Sequence, residues 1–207
     1  MKGGKVKVSI YCKIGTVSSQ KTNSLLATAK SYELQNRNII CLKPKADTRD
    51  VGIITSRTGI SRECLTLEPH QNALIDLLVK YGKETGNDVV EAIFIDEAQF
   101  LSENNVDEII LLSGLCNFNF LAYGLTSTYT GEPFKSMNKL MIFAKDVEDV
   151  SNSLCTYCSS KAKMNMKLID GKPVFEGEAV SVDEGLFESQ YVPVCPKCFT
   201  KKWSESF

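Results

Sequence analysis

The chain lacks several things, and each absence removes a class of function. It has no basic excess: 24 lysines and arginines stand against 25 aspartates and glutamates, for a formal net charge of −1. A duplex-binding surface shows such an excess, so nucleic acid is not expected as a partner. It has no long hydrophobic run. The most apolar stretches, "EAIFI" and "EIILL", fall far short of the roughly 20 residues that span a bilayer, so no membrane association is expected. The opening "MKGGKVKVSIYC" alternates like a strand and lacks the apolar core of an export signal, which points to a cytoplasm. In that compartment the eight cysteines are reduced thiols or metal ligands rather than disulfides. There is a single histidine, His70, and its place near a predicted helix start suits the surface or a cap better than catalysis. There are no repeats and no low-complexity tracts. At 207 residues there is room for one ordinary domain and a small appendage.

What is present reads as alternating strands and helices. Val6–Tyr11 alternates as a strand, and a helix is predicted from Thr22 to about Asn36 with Leu25, Leu26, Ala29 and Leu34 on one side. "NIICL" is a short strand closed by Pro44, and the polar stretch from Lys43 to Ser61 is a mobile loop or a hairpin. Pro69 fits the first turn of a helix that Gly82 would stop. Asp88–Asp96 reads as a buried strand, Ser102 as the cap of the next helix, "FNFLAYG" as a strand, and Ser136 as the cap of "MNKLMIFAK". This βαβ alternation predicts an α/β fold with a largely parallel sheet. After Leu154 the composition turns to cysteines, lysines and short strand-like pieces, which sets a boundary between residues 1–154 and 155–207.

The segment "IGTVSSQKTNSLL" lies where a phosphate loop would. Between a strand and a helix, successive backbone N–H groups can face an anion. Gly15, Thr16, Val17, Ser18, Ser19 and Gln20 would form the cradle, Lys21 would reach the β- and γ-phosphates, and the Thr22 hydroxyl would ligate Mg²⁺. Alone, the segment also fits a polar strand-to-helix turn, because Gln20 stands where a glycine is expected. The second half of such a site is "IFIDEAQF": Asp96 ends an apolar strand where a carboxylate organises Mg²⁺, and Glu97 is free to accept a hydroxyl proton. "DEAQ" also occurs in helicases, but those motors need two sheet domains and a surface suited to a phosphate backbone.

Cys155-Thr-Tyr-Cys158 and Cys195-Pro-Lys-Cys198 are two CxxC knuckles with 36 residues between them. Together they offer four thiolates to one tetrahedral zinc, a closed and therefore structural site. Its binding energy would help fold a segment too small to hold a core alone. Cys12, Cys41, Cys64 and Cys116 have no such partners and read as core residues.

Taken together, "CLKPKADTRD", "SRTGIS", "IDEAQF", "LAYGLTSTYTGEPF" and "YVPVCPKC" resemble the thymidine kinase family that carries a zinc-bound lasso domain, especially its bacterial and phage forms. The resemblance runs from about Ile10 to Phe199. It implies a P-loop (RecA-like) nucleotide-binding domain over residues 1–154 and a zinc-ribbon lasso domain over 155–207. It also implies transfer of the ATP γ-phosphate to the 5′-hydroxyl of thymidine or deoxyuridine, a homotetramer, and feedback by dTTP. Carried over by position, Gly15 to Thr22 bind the ATP phosphates, Asp96 organises Mg²⁺ and Glu97 is the general base. Val17 falls beside the thymine methyl, where the family has methionine. Phe100, Leu125 and Tyr129 wall the base, although as bare residues they suit core packing better. Tyr191 matches the lasso tyrosine, and the backbone of Val180, Ser181, Val182, Asp183 and Glu184 would meet the pyrimidine edge.

The chain departs from the family twice. The family's Gly-Gly before the lasso tyrosine is replaced by the acidic "VDEGLFESQY", and the glycine before the lysine by Gln20. A left-handed Gln20 would cost about 1–2 kcal/mol. Two other readings are set beside the kinase: a kinase-derived binding protein without efficient transfer, and a zinc-ribbon interaction module, which accounts only for the last quarter of the chain.

Overall fold

The computed structural model describes residues 9–86, 89–116, 118–177 and 189–206. Its centre is a sheet whose inner strands are apolar at nearly every position. β1 (Ile10–Ile14), β2 (Ile39–Pro44), β5 (Leu65–Leu67), β6 (Ala92–Ile95), β7 (Asn119–Gly124) and β8 (Asp146–Asp149) lie in the order β5-β2-β6-β7-β1-β8, with every pairing parallel. A parallel sheet covered on both faces needs both sets of alternate side chains to be apolar. The alternation is clean here. Ile40, Leu42, Ile93, Ile95, Phe120 and Ala122 face one core, while Cys41, Phe94, Leu121 and Tyr123 face the other.

Helices cover each face. α1 (Lys21–Leu34) places Leu25, Leu26 and Ala29 in the second core, and α2 (Ala73–Thr85), α3 (Glu103–Leu115) and α4 (Lys135–Phe143) contribute Leu74, Val106, Ile109 and Leu140 to the first. A hairpin, β3 (Ile53–Thr55) with β4 (Ser61–Glu63), closes through Ser56 N donating to Ile60 O at 2.9 Å and buries Ile54 in the second core. C-terminal to the main sheet, β9 (Met164–Ile169), β10 (Lys172–Val174) and β11 (Ser189–Val194) form an antiparallel sheet, followed by α5 (Pro196–Ser204). Met166, Val192, Val194 and Phe199 form a third, small core there with Cys155 and Cys195. No helix among the described residues is long and apolar enough to cross a membrane.

Several boundaries differ from the sequence reading. The first strand runs to Ile14, while residues 1–8 lie outside the described residues. Leu34, assigned to the buried side of α1, is 75% exposed. α2 starts at Ala73 rather than near Pro69 and runs through Gly82 to Thr85, where the cap Gly86 takes φ +65° and returns its N–H to Gly82 O. One glycine costs a helix about 1 kcal/mol, and burial of Leu74, Leu77, Leu78 and Tyr81 offsets it. The sixth strand is limited to Ala92–Ile95. Ser102 does cap α3, with Asn105 completing a capping box. Ser136 does not cap α4: Phe134 holds that position, and the Ser136 hydroxyl donates to Gln99 O instead. Cys64 and Cys116 are only half-buried, unlike Cys12 and Cys41.

Candidate active site

The chain leaves β1 at Ile14 and turns through residues 15–20 into α1. A Cβ at Gly15 would sit 2.4 Å from Ser19 Oγ and 3.1 Å from Ser19 Cβ, so any larger residue here would displace the buried Ser19 side chain. Ser18 and Gln20 both adopt left-handed backbone, with φ +59° and +65°. Gln20 is the N-cap of α1 and makes no side-chain capping bond, and no acidic residue lies in the first turn. The leading N–H groups of α1 therefore have no capping bond from the Gln20 side chain and no acidic residue in their own turn, an arrangement that leaves them open to an anion. Lys21 Nζ donates to Thr16 O at 2.7 Å and lies 3.4 Å from Ser19 Oγ, folded against its own loop. Burial lowers the Lys21 pKa, and the charges of Glu97 and Asp96 oppose that shift.

Asp96 follows β6 and is buried, with Thr22 Oγ1 donating to its Oδ2 at 3.2 Å. Burial and the adjacent Glu97 raise its pKa to about 6. Glu97 takes left-handed backbone (φ +50°, ψ +41°) and leads into a single 3₁₀ turn, Ala98–Phe100. Its carboxylate accepts from Arg49 Nη2 at 2.7 Å and from the Gln99 side chain. Gln99 Oε1 in turn accepts from Leu125 N at 3.0 Å. Gly124 admits that arrangement, since a Cβ there would lie 2.9 Å from Gln99 Oε1 and 2.8 Å from Met137 Sδ. Arg49 also pairs with Asp47, which forms a buried ion pair with Lys43 at 3.0 Å.

These groups border a cleft of about 480 Å³, within the range of small-molecule sites. Val17 to Thr22 line it, as do Arg49 and Glu97, and Phe100, Leu125, Phe134 and Tyr191 supply apolar and aromatic wall. Val17 to Thr22, Glu97, Phe100, Leu125 and Tyr191 thus share one cavity. Gly15, Thr16 and Asp96 support it from behind. Tyr129, expected in the base wall, is one layer back. It is 3% exposed, packs edge-on to Tyr191 with centroids 6.1 Å apart, and donates its hydroxyl to Glu176 O, so its ring is spent on holding Tyr191. Val180, Ser181, Val182, Asp183 and Glu184 lie outside the described residues. Arg49, Gln99 and Asn165 join the site only in the folded chain. The first two fall inside quoted motifs, whereas nothing local marks Asn165.

The thymidine kinase family profile matches residues 8–199. The chain belongs to the thymidine kinase family. It is 33% identical over 189 residues to the thymidine kinase of Lactobacillus johnsonii, covering 90% of this chain and 93% of that protein. It is 32% identical over 193 residues to that of Streptococcus gordonii, covering 93% and 96%. With the Lactobacillus acidophilus thymidine kinase it shares 33% over 194 residues, 90% of this chain and 93% of that one.

This thymidine kinase family member also gathers the Sγ atoms of Cys155, Cys158, Cys195 and Cys198 within 4.8 Å of one another, with Cys158 Sγ 3.7 Å from both Cys195 Sγ and Cys198 Sγ. Tetrahedral bonds of about 2.3 Å to a soft ion put thiolates about 3.8 Å apart, so the four-sulfur set fits such an ion. Cys195 is also the N-cap of α5, its sulfur accepting from Cys198 N.

Proposed function

We propose that the chain is an ATP-dependent thymidine kinase, transferring the γ-phosphoryl group to the 5′-hydroxyl of thymidine or deoxyuridine. The observation that carries this reading is the position of Glu97, which lies in one cleft with the lysine-bearing loop and the aromatic wall. In this assignment Gly15 to Thr22 hold the donor phosphates. Lys21 leaves its Thr16 contact and pairs with the transferring group. Phe100, Leu125 and Tyr191 hold the base, with Val17 beside its methyl group. Arg49 and Gln99 hold the Glu97 carboxylate in place through their hydrogen bonds, so it accepts the proton of the attacking hydroxyl as the O–P bond forms and ADP leaves. Proton acceptance by a positioned base contributes roughly 10²–10⁴-fold.

Thr22 and Asp96 offer adjacent oxygen ligands of the kind Mg²⁺ favours, and bound there it would neutralise charge building on the phosphates. The four cysteines would hold a structural zinc that anchors β11, and with it Tyr191. A division at residues 154/155 accords with the separate apolar cluster around Cys155 and Cys195. The same reading includes a cytoplasmic setting, a homotetramer and feedback by dTTP. Its test is purified protein with ATP, Mg²⁺ and thymidine, the nucleoside monophosphate being followed chromatographically. Monophosphate formed by the native chain and lost in Glu97→Gln supports it, and no monophosphate at any enzyme concentration refutes it. One observation favours the second reading, a binding protein without efficient transfer: the left-handed Gln20 in the floor of the loop.

A further inference from the structure

Two bonds join the loop at residues 15–20 to segments far along the chain. Val17 N donates to Asn165 Oδ1 at 2.8 Å, across 148 positions of sequence. Asn165 is 3% exposed, borders the cleft, and directs its Nδ2 toward Ser127 O at 3.4 Å. Thr16 Oγ1 lies 3.4 Å from Ser151 Oγ, whose own backbone N–H donates to Asp149 Oδ1 at 2.9 Å. Asp149 then pairs with Lys161 at 2.8 Å, beyond the first cysteine knuckle. On the other side, Asn165 sits on β9 opposite Pro193 of β11, two residues from Tyr191, which itself faces Lys167 in the same register. The loop and the aromatic wall of the cleft are thus tied to one antiparallel sheet.

We infer that Asn165 is a positioning residue that couples the two ends of the cleft, so that a nucleoside against Tyr191 and a nucleoside triphosphate on the loop each tighten the binding of the other. The inference rests on the kinase reading of the cleft. Closure of Tyr191 on a base fixes β11, the ladder fixes β9, and Asn165 holds the peptide of Val17 in one orientation. The N–H of Val17 is committed to Asn165, so its partner sets the attitude of the loop without itself touching the anion. A triphosphate that orders the loop acts on Tyr191 through the same bonds in reverse, and linkage requires the two effects to be equal.

The test is titration of a non-hydrolysable ATP analogue with Mg²⁺ into the full chain, with and without saturating thymidine, and the reciprocal titration. The native chain should show tighter binding in both directions by one common factor. Asn165→Leu keeps the bulk and removes the acceptor, and should bring that factor down roughly two- to tenfold, toward one. Asn165→Asp keeps an acceptor for Val17 N and should retain the factor, although its charge weakens the analogue with and without thymidine. A packing defect alone would lower the melting temperature without this pattern. An unchanged factor in Asn165→Leu, or a factor of one in the native chain, overturns the coupling and leaves the kinase reading standing. If Asn165→Leu does not fold, Asn165→Ala decides: a reduced factor supports the coupling and an unchanged one overturns it. A native chain that binds no analogue at all refutes the kinase reading, and the coupling falls with it.

Discussion

Replacing Gln20 by glycine tests whether the loop carries strain that the family's usual glycine avoids. Gln20 adopts φ +65°, ψ +21°, is exposed and makes no capping bond through its side chain, so truncation removes no side-chain capping contact. A non-glycine residue in this region costs about 1–2 kcal/mol. Glycine loses roughly 0.5–1 kcal/mol more than alanine in backbone entropy on folding. The difference favours Gln20→Gly by up to about 1.5 kcal/mol, or as much as roughly 6 °C in melting temperature for a chain of this size. Gln20→Ala is the control: it removes the same side chain but keeps the Cβ, and should melt no higher than the native chain. On the binding side, Gln20→Gly lets backbone and phosphate approach more closely. The analogue should then bind more tightly, or turnover rise, by up to about tenfold. Melting scans of the three proteins and analogue titrations of each decide the matter. If Gln20→Gly melts no higher than Gln20→Ala and the analogue binds all three alike, the strain is absent and the loop does not hold phosphate at this point.

Glu97→Gln keeps size and hydrogen bonding but cannot accept a proton; turnover should fall by roughly 10²–10⁴ with little change in thymidine affinity by titration. Asp96 has a pKa of about 6 in the folded chain, above the 3.8 of a free aspartate. The folded, metal-free protein therefore holds the extra proton between about pH 4 and 6, and loses stability as pH rises through that window. Asp96→Asn should remove that slope and melt above the native chain at pH 7.5 in a chelator, with the two converging near pH 4. Cys195→Ser should lower bound zinc from one per chain by elemental analysis, and reduce melting temperature and thymidine affinity together, since Cys195 both caps α5 and follows β11.

Much of this architecture is visible in local pattern. Strands such as "AIFI" and "NFLAYG" are apolar on both faces, which only a covered sheet explains. Two CxxC knuckles announce their cluster because the spacing itself presents paired thiolates. Lys21-Thr22 and Asp96-Glu97 carry chemistry that few other residue pairs supply. By contrast, β8 is acidic and exposed at three of its four positions, "DVED", and has no apolar alternation to mark it; it pairs as a strand along the parallel edge that β1 offers. Its charge suits an edge that must not pair further. Ser136 has the chemistry of a cap but is drawn to Gln99 O by the packing of α4 against the 3₁₀ turn.

The sequence by itself determined the α/β order, the parallel sheet and the four-cysteine cluster, and it supplied the residues proposed to move a phosphoryl group and a proton, because each follows from periodicity or from side-chain chemistry within a few positions. Only the tertiary structure decided which groups hold those residues in place. Arg49 and Gln99 on Glu97, Tyr129 behind Tyr191, and Asn165 on the Val17 amide are contacts across gaps of 48, 2, 62 and 148 residues. The shortest of these lies within the turn that Glu97 opens, and the others join segments that only the fold brings together. A hydrogen bond has no periodicity, so its partner is known only when the chain has closed around it.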